Sequence, residues 1–180
     1  ITDAIRDCYA KAAIPSDSVD YIELNGYSKR WGDSFEFEGI RNAFGTSTAG
    51  KHCALGSLKG NVGHLEPASG IASVIKVASS LWNRKFPPTI TRRKLNEFID
   101  LESTAHPLYF ADAAIPFDDL RKDPDTRVRA GVNSFCDSGV NVHILLEEYR
   151  APARTGQGSN ADSCPLFVLS ARNRARLDDY

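Results

Sequence analysis

Lys59, Asn61, His64 and Glu66 crowd into one short loop, punctuated by Gly56, Gly60 and Gly63 and closed by Pro67. A cation, an amide, an imidazole and a carboxylate this close together offer the groups needed for proton transfer or for stabilising a developing negative charge. Proline suits the first turn of a helix, where its missing N–H has no intrahelical partner. The residues after it, Ile71-Ala72-Ser73-Val74-Ile75-Lys76-Val77-Ala78, are so rich in small and aliphatic side chains that a buried helix to about Asn83 is expected. His64 then precedes the positive end of a helix macrodipole, which disfavours imidazolium and favours a neutral ring that donates a hydrogen bond. The alternative is a structural histidine at a junction between a loop and a core helix.

Other chemistry-bearing residues are weaker candidates. The spacing of His52, Cys53 and His64 fits no common metal site, and no metal is expected. The GxxxxGK[ST] spacing of a phosphate-binding loop is absent. Cys136, in the tight turn Phe135-Cys136-Asp137-Ser138-Gly139, could serve as a nucleophile with His64 as its base, which would make a Cys–His hydrolase or acyltransferase. Equally, it is a small residue lining a loop. His106 sits in a polar stretch and reads as a surface residue. Lys29-Arg30 reads as a solvated pair. His143, among Val140, Val142, Ile144 and Leu146, reads as a structural hydrogen-bonding residue in a largely buried strand.

The elements that position these residues follow from periodicity. Ile1, Ile5, Cys8, Tyr9 and Ala12 share one face of a helix over 1–13, which Pro15 ends. Val19 to Leu24 has the composition of a strand. Asp33, with Glu36 three residues on, has the spacing of an N-cap and capping box for a helix over 34–44. Phe35, Ile40, Ala43 and Phe44 supply its buried stripe. Further strands are expected near 53–57, 127–134 and 141–146, with 89–127 a long surface excursion in which Pro107-Leu108-Tyr109-Phe110 is the one strand-like stretch. Strands followed by buried helices predict an α/β layered domain over 1–150. Residues 151–163 have linker composition, and a strand beginning near Leu166 opens a second domain.

Composition narrows the class. A net charge of −1 argues against an electrostatically driven nucleic-acid partner, and no apolar run approaches the roughly 20 residues that span a bilayer. Cys8, Cys53, Cys136 and Cys164 lack zinc-like spacing and read as reduced cytoplasmic thiols. With no methionine anywhere and no signal-peptide core at its start, the chain reads as an excised piece.

Three stretches together resemble the β-ketoacyl synthase (ketosynthase) domains of modular polyketide synthases. Gly-Ser-Leu-Lys-Gly-Asn-Val-Gly-His-Leu-Glu at 56–66 is similar to their lysine–histidine motif. Val-Asp-Tyr-Ile-Glu-Leu-Asn-Gly at 19–26, with Gly32, Asp33 and Glu36, sits where the family reads VDYVEAHGTGT…GDPIE. Arg129-Ala130-Gly131-Val132-Asn133-Ser134-Phe135, then Gly139, Asn141 and His143 to Glu148, resembles RAGVSSFGxGGTNAHVILEE. The resemblance implies the C-terminal half of a thiolase-like layered αβαβα fold. It also implies that the nucleophilic cysteine lies in the N-terminal half, and Cys136 falls where the family has a glycine beside the acyl site, which demotes the Cys–His reading. Residues 164–180 resemble the start of the flanking α/β subdomain of synthases that lack integral acyltransferases.

Carried over residue by residue, the resemblance implies catalytic roles for His64 and Lys59, and acyl-site positions for Phe135, Cys136 and Gly139. One departure stands out: the HGTGT histidine aligns with Asn25, and the loop reads Asn-Gly-Tyr-Ser-Lys. In elongating members that histidine and the one matching His64 together stabilise the enolate formed when malonyl-carrier protein decarboxylates. An amide can donate but cannot exchange a proton near neutral pH. The resemblance thus implies a non-elongating ketosynthase that passes an acyl chain between acyl carrier proteins. Its alternatives are a non-catalytic partner shaping a dimer or acyl tunnel, and an elongating enzyme with Asn25 as donor. The implied partners are acyl carrier proteins bearing phosphopantetheine, the N-terminal half of the domain and a second copy in a homodimer. The implied cofactors within the chain are none. Half of such a fold is expected to leave a sheet face and helices uncovered.

Overall fold

A computed structural model of the chain describes residues 1–46, 50–90, 95–103, 105–120, 123, 125–136, 138–150 and 173–174. Contacts divide the chain into two units, Ile1–Tyr149 and Arg150–Tyr180. The expected linker at 151–163 lies outside the described residues. So does the expected subdomain at 164–180, apart from Asn173 and Arg174.

In the first unit, α1 (Thr2–Ala12) opens the chain and buries Ile5 and Tyr9, four residues apart on one face. Next, β1 (Tyr21–Glu23), α2 (Arg30–Phe44) and β2 (Cys53–Gly56) form a strand–helix–strand crossover, Tyr21 beside Ala54 and Glu23 beside Gly56. A single turn, α3 (Lys59–Val62), and a 3-10 turn at Glu66–Ala68 lead into α4 (Ser69–Trp82). The remaining elements are β3 (Lys85–Phe86), β4 (Leu108–Phe110), β5 (Ile115–Pro116), α5 (Phe117–Leu120), β6 (Arg129–Phe135) and β7 (Asn141–Glu147).

The main sheet has the order β4-β2-β1-β6-β7. Its first four strands are parallel, and β7 returns antiparallel to β6. Successive side chains of a strand point to opposite faces, and the core divides accordingly. Tyr21, Ala54, Ala130 and Val132 face Val77 and Leu81 of α4. Ile22, Cys53, Leu55 and Leu108 face Ile5 and Tyr9 of α1 and Phe37 and Ile40 of α2. The result is a helix–sheet–helix sandwich with β1 at its centre.

Several expectations need correction. α2 begins at Arg30, four residues before the expected start, with Lys29 as its N-cap. Asp33 therefore lies inside the helix and the capping box does not form; Glu36 is turned to a tertiary use described below. The face of α2 that packs on the sheet carries Phe37 and Ile40, and Phe35 of the expected stripe is 64% exposed. Ala12 is exposed in the last turn of α1. The stretch 89–127 is not only a surface excursion, because β4 joins the main sheet and Phe117 enters the core. His106 is buried beside β4, packed edge-on against Phe37, with Nε2–H donating to the Asp100 carbonyl at 2.8 Å.

α4 and β7 are also less buried than their composition implies. α4 packs one face on the sheet and leaves Ile71, Ile75 and Trp82 exposed. In β7, Val142 and Ile144 are exposed while His143 is buried. These apolar side chains fit the expectation that half of a layered fold leaves surface uncovered.

Candidate active site

Two loops leave neighbouring ends of the parallel strands β1 and β2, and each is fixed by a buried carboxylate. Glu36, on α2, accepts the N–H groups of Asn25 at 2.7 Å and Gly26 at 2.8 Å, and the side-chain amide of Asn133 at 2.9 Å. Asp33 accepts the Ser28 N–H at 3.0 Å. A Cβ on Gly26 would lie 2.9 Å from the Ser57 hydroxyl, and its φ of +55° also favours glycine. Ser28 adopts a φ of 58° despite carrying a side chain, at a position where HGTGT has its second glycine.

Glu23 fixes the second loop. It is fully buried in β1 and accepts the Leu58 N–H at 2.5 Å, the Tyr21 phenol at 2.7 Å and the Lys76 ammonium at 2.6 Å. Both carboxylates escaped sequence reasoning as anchors. The available signal was a glutamate inside an apolar three-residue strand, which the burial of the strand makes costly unless it is paired.

His64 lies in this second loop, exposed, with Nδ1 accepting the Glu66 N–H at 2.9 Å and the Ser69 hydroxyl 3.3 Å away. An Nδ1 that accepts leaves Nε2 as the ring's N–H donor. Pro67 sits in the 3-10 turn just before α4, close to its expected place. Lys59 donates to the backbone carbonyl and to Oδ1 of Asn25. Burial pulls the Lys59 ammonium below its ordinary value, and Glu36, Glu23 and Asp33 partly restore it.

The two loops meet the end of β6. Phe135 N–H points to Asn25 Oδ1 at 3.3 Å, and the Phe135 carbonyl accepts the Tyr27 phenol at 2.7 Å. The Tyr27 ring lies 5.7 Å from that of His64. The structure therefore brings together Asn25, Lys59, His64 and Phe135, with Tyr27 as the residue that touches both ends. Asn25 is 5% exposed, and its Nδ2 has no hydrogen-bond partner. Cys136 and Gly139 lie in the turn beyond Phe135, where Cys136 N–H bonds the Val140 carbonyl and Gly139 N–H bonds the Cys136 carbonyl, each at 2.9 Å. A cavity of about 450 Å³ opens beside Gly26, Ser28, Asp33 and Lys59. Among the described residues no group of three or more His, Cys, Asp or Glu side chains could hold a metal ion.

Behind the site a buried polar chain runs from Glu36 through Asn133 to His143, whose Nδ1–H donates to Asn133 Oδ1 at 2.6 Å. His143 is structural in this arrangement, as its sequence setting implies. Its Nε2 has no partner and lies against Gly131, and the ring stands nearly perpendicular to that of Tyr9, 5.2 Å between centroids. Burial pushes the imidazole from 6.5 to about 4. The folded state thus holds His143 neutral while the unfolded chain protonates it. The stability this confers is present above pH 6.5 and is lost as pH falls toward 4, by about 3 kcal/mol at most. Urea unfolding across this range is expected to show the loss, and His143→Gln is expected to lack that part of it. Parallel pH profiles for the two proteins would refute this assignment.

Residues 1–92 match the profile of the β-ketoacyl synthase C-terminal domain. The chain belongs to that family. It is 35% identical over 190 residues to polyketide synthase PksN of Bacillus subtilis, covering 99% of this chain and 3% of the relative. With polyketide synthase ThaQ of Burkholderia thailandensis it shares 35% over 182 residues, 99% of this chain and 9% of the relative. Among solved structures, ketosynthase twelve of the bacillaene polyketide synthase from Bacillus amyloliquefaciens superposes with a TM-score of 0.76 at 32% identity, covering 99% of this chain and 29% of that one. The oxazolomycin ketosynthase domain OzmH KS7 of Streptomyces albus gives 0.78 at 29% identity, covering 97% and 30%. The chain therefore spans a small part of these relatives, and its fold is the thiolase-like α/β fold of polyketide synthase ketosynthases. None of its described helices is long and apolar enough to cross a membrane.

Proposed function

We propose that this chain is the C-terminal half of a non-elongating ketosynthase, which moves an acyl group between acyl carrier proteins without decarboxylative condensation. The observation that carries the reading is Asn25. It stands where the resemblance puts a catalytic histidine, and its Oδ1 is already engaged by Lys59 and by Phe135 N–H. Decarboxylation breaks the bond between the malonyl carboxylate and Cα, and the electron pair moves onto the thioester oxygen. Two imidazole donors stabilise that charge in elongating members; His64 Nε2–H alone remains in this chain.

Transacylation makes smaller demands. A cysteine thiolate supplied by the N-terminal half attacks the carrier-bound thioester carbonyl. The C–S bond to the phosphopantetheine arm breaks, and the released thiolate takes up the proton that the cysteine gave up. Phe135 N–H lies where the resemblance places part of the oxyanion hole. Its 3.3 Å bond to Asn25 Oδ1 is long, and a developing oxyanion is a stronger acceptor than an amide oxygen. In this reading the phosphopantetheine arm is substrate, carried by the partner protein. Residues 151–163 link the domain to a flanking subdomain, and the ketosynthase works as a cytoplasmic homodimer.

Loss of one such donor costs about 2.7–4 kcal/mol, or roughly 10²–10³ in rate. Carbon dioxide release from malonyl-carrier protein by the complete ketosynthase is expected to fall at least about 100-fold below that of an elongating homologue. Release at the homologue's rate refutes the proposal. The unpartnered Asn25 Nδ2–H favours a second reading, in which the amide donates to the thioester oxygen and condensation proceeds. The same measurement decides between the two.

A further inference from the structure

Tyr27 links the two sides of the candidate site. Its hydroxyl donates to the Phe135 carbonyl at 2.7 Å, 108 residues away in sequence. Its ring lies 5.7 Å from the His64 ring, tilted by 31°. Lys59 Nζ sits 5.5 Å from the ring centroid and Lys29 Nζ 5.7 Å from it, so two cations face the phenol's π-system. The backbone beneath it is held by Glu36 at Gly26 and by Asp33 at Ser28. A ring pinned at its hydroxyl and supported at its base cannot swing aside without breaking these contacts.

The pinned ring reaches from beside His64 to Phe135, whose N–H meets Asn25 Oδ1. A developing enolate oxygen needs donors at about 2.7–3.1 Å. Two donors can share one oxygen only if nothing the size of a phenol lies between them. We infer that Tyr27 is a specificity-determining wedge, which keeps His64 and residue 25 from converging on one thioester oxygen and so excludes the malonyl reaction independently of Asn25. The inference rests on the non-elongating reading and adds a steric cause to the missing imidazole.

The test compares variants of the complete ketosynthase, reading carbon dioxide release from malonyl-carrier protein. Asn25→His alone is expected to stay within a few-fold of the parent. Asn25→His with Tyr27→Thr is expected to exceed the single variant by at least tenfold. Asn25→His with Tyr27→Phe, which keeps the ring, is expected to gain nothing over Asn25→His. Thermal unfolding midpoints show which variants are folded, and Tyr27→Ser replaces Tyr27→Thr if the latter unfolds. The wedge is overturned if Asn25→His alone matches the truncated double variant, or if the folded double variant gains nothing. Release by the parent at an elongating rate instead refutes the underlying transacylation reading, so the two failures are distinct.

Discussion

Replacing Glu23 by alanine is expected to cost the domain about 3–5 kcal/mol, measured by denaturant unfolding of the complete ketosynthase. Glu23 is fully buried at the centre of the sheet, between β2 and β6. Its carboxylate is the partner of Lys76, whose side chain is only 13% exposed. Truncation strands that ammonium in a place water scarcely reaches. It also removes the acceptor of the Leu58 N–H and one partner of the Tyr21 phenol. Breaking one side of a buried pair is far worse than never having built it, because the remaining charge keeps its desolvation cost.

That asymmetry supplies the control. Glu23→Leu combined with Lys76→Met removes both charges and is expected to recover most of the stability lost in Glu23→Ala. It does not restore the acceptor at Leu58, where the loop carrying Lys59 and His64 begins. Stability and acyl transfer are therefore expected to separate: the double variant folds well yet transfers acyl groups more slowly than the parent. A Glu23→Ala domain destabilised by less than about 1 kcal/mol would contradict the buried-pair account.

Local patterns made some of this architecture legible and left other parts hidden. The β-branched and aromatic composition around Tyr21–Glu23 identified β1, because burial on both faces demands such residues. β4 was legible as a strand-like stretch at 107–110, but its place in the sheet was not, since the pairing of Leu108 with Cys53 is long-range and leaves no local periodicity. Asp33 and Glu36 have capping-box spacing, yet Glu36 turns inward to the Asn25 loop, a choice made by the tertiary fold rather than by the helix end. Polar neighbours made His106 look exposed, although adjacency to β4 buries it. Apolar composition in α4 shows that a surface is apolar, not what lies against it, so Ile71, Ile75 and Trp82 could not be placed. At the site, resemblance singled out Asn25, Lys59 and His64. Their meeting through Tyr27 and Phe135 depends on a contact that spans 108 residues, and no motif records it.

Glu36→Ala is the second large effect expected, about 4 kcal/mol by denaturant unfolding. Glu36 is 3% exposed and has no cationic partner in direct contact among the described residues; three N–H donors hold it instead. Alanine leaves two backbone amides and the Asn133 amide unsatisfied, at about 1–3 kcal/mol for each group that water cannot reach. Burial pushes the Glu36 carboxyl above its ordinary 4.5, while the donors from Gly26, Asn133 and Asn25 pull it partly back. For a carboxyl with a raised folded-state value, the stability it contributes is full below about pH 4.5 and is lost as pH rises through that raised value. Glu36→Gln has no such titration, so the parent is expected to lose stability relative to Glu36→Gln as pH rises from 4 to 7. A constant difference would mean that burial and the donors cancel at this carboxyl, and a gain in the parent with rising pH would mean that the donors govern it. In each case Glu36→Ala releases the backbone of Asn25 and Gly26, so acyl transfer should fall even under conditions where the variant remains folded. That link follows from the geometry, because the carboxylate that closes the core between α2 and β6 is also the one that holds residue 25 in place.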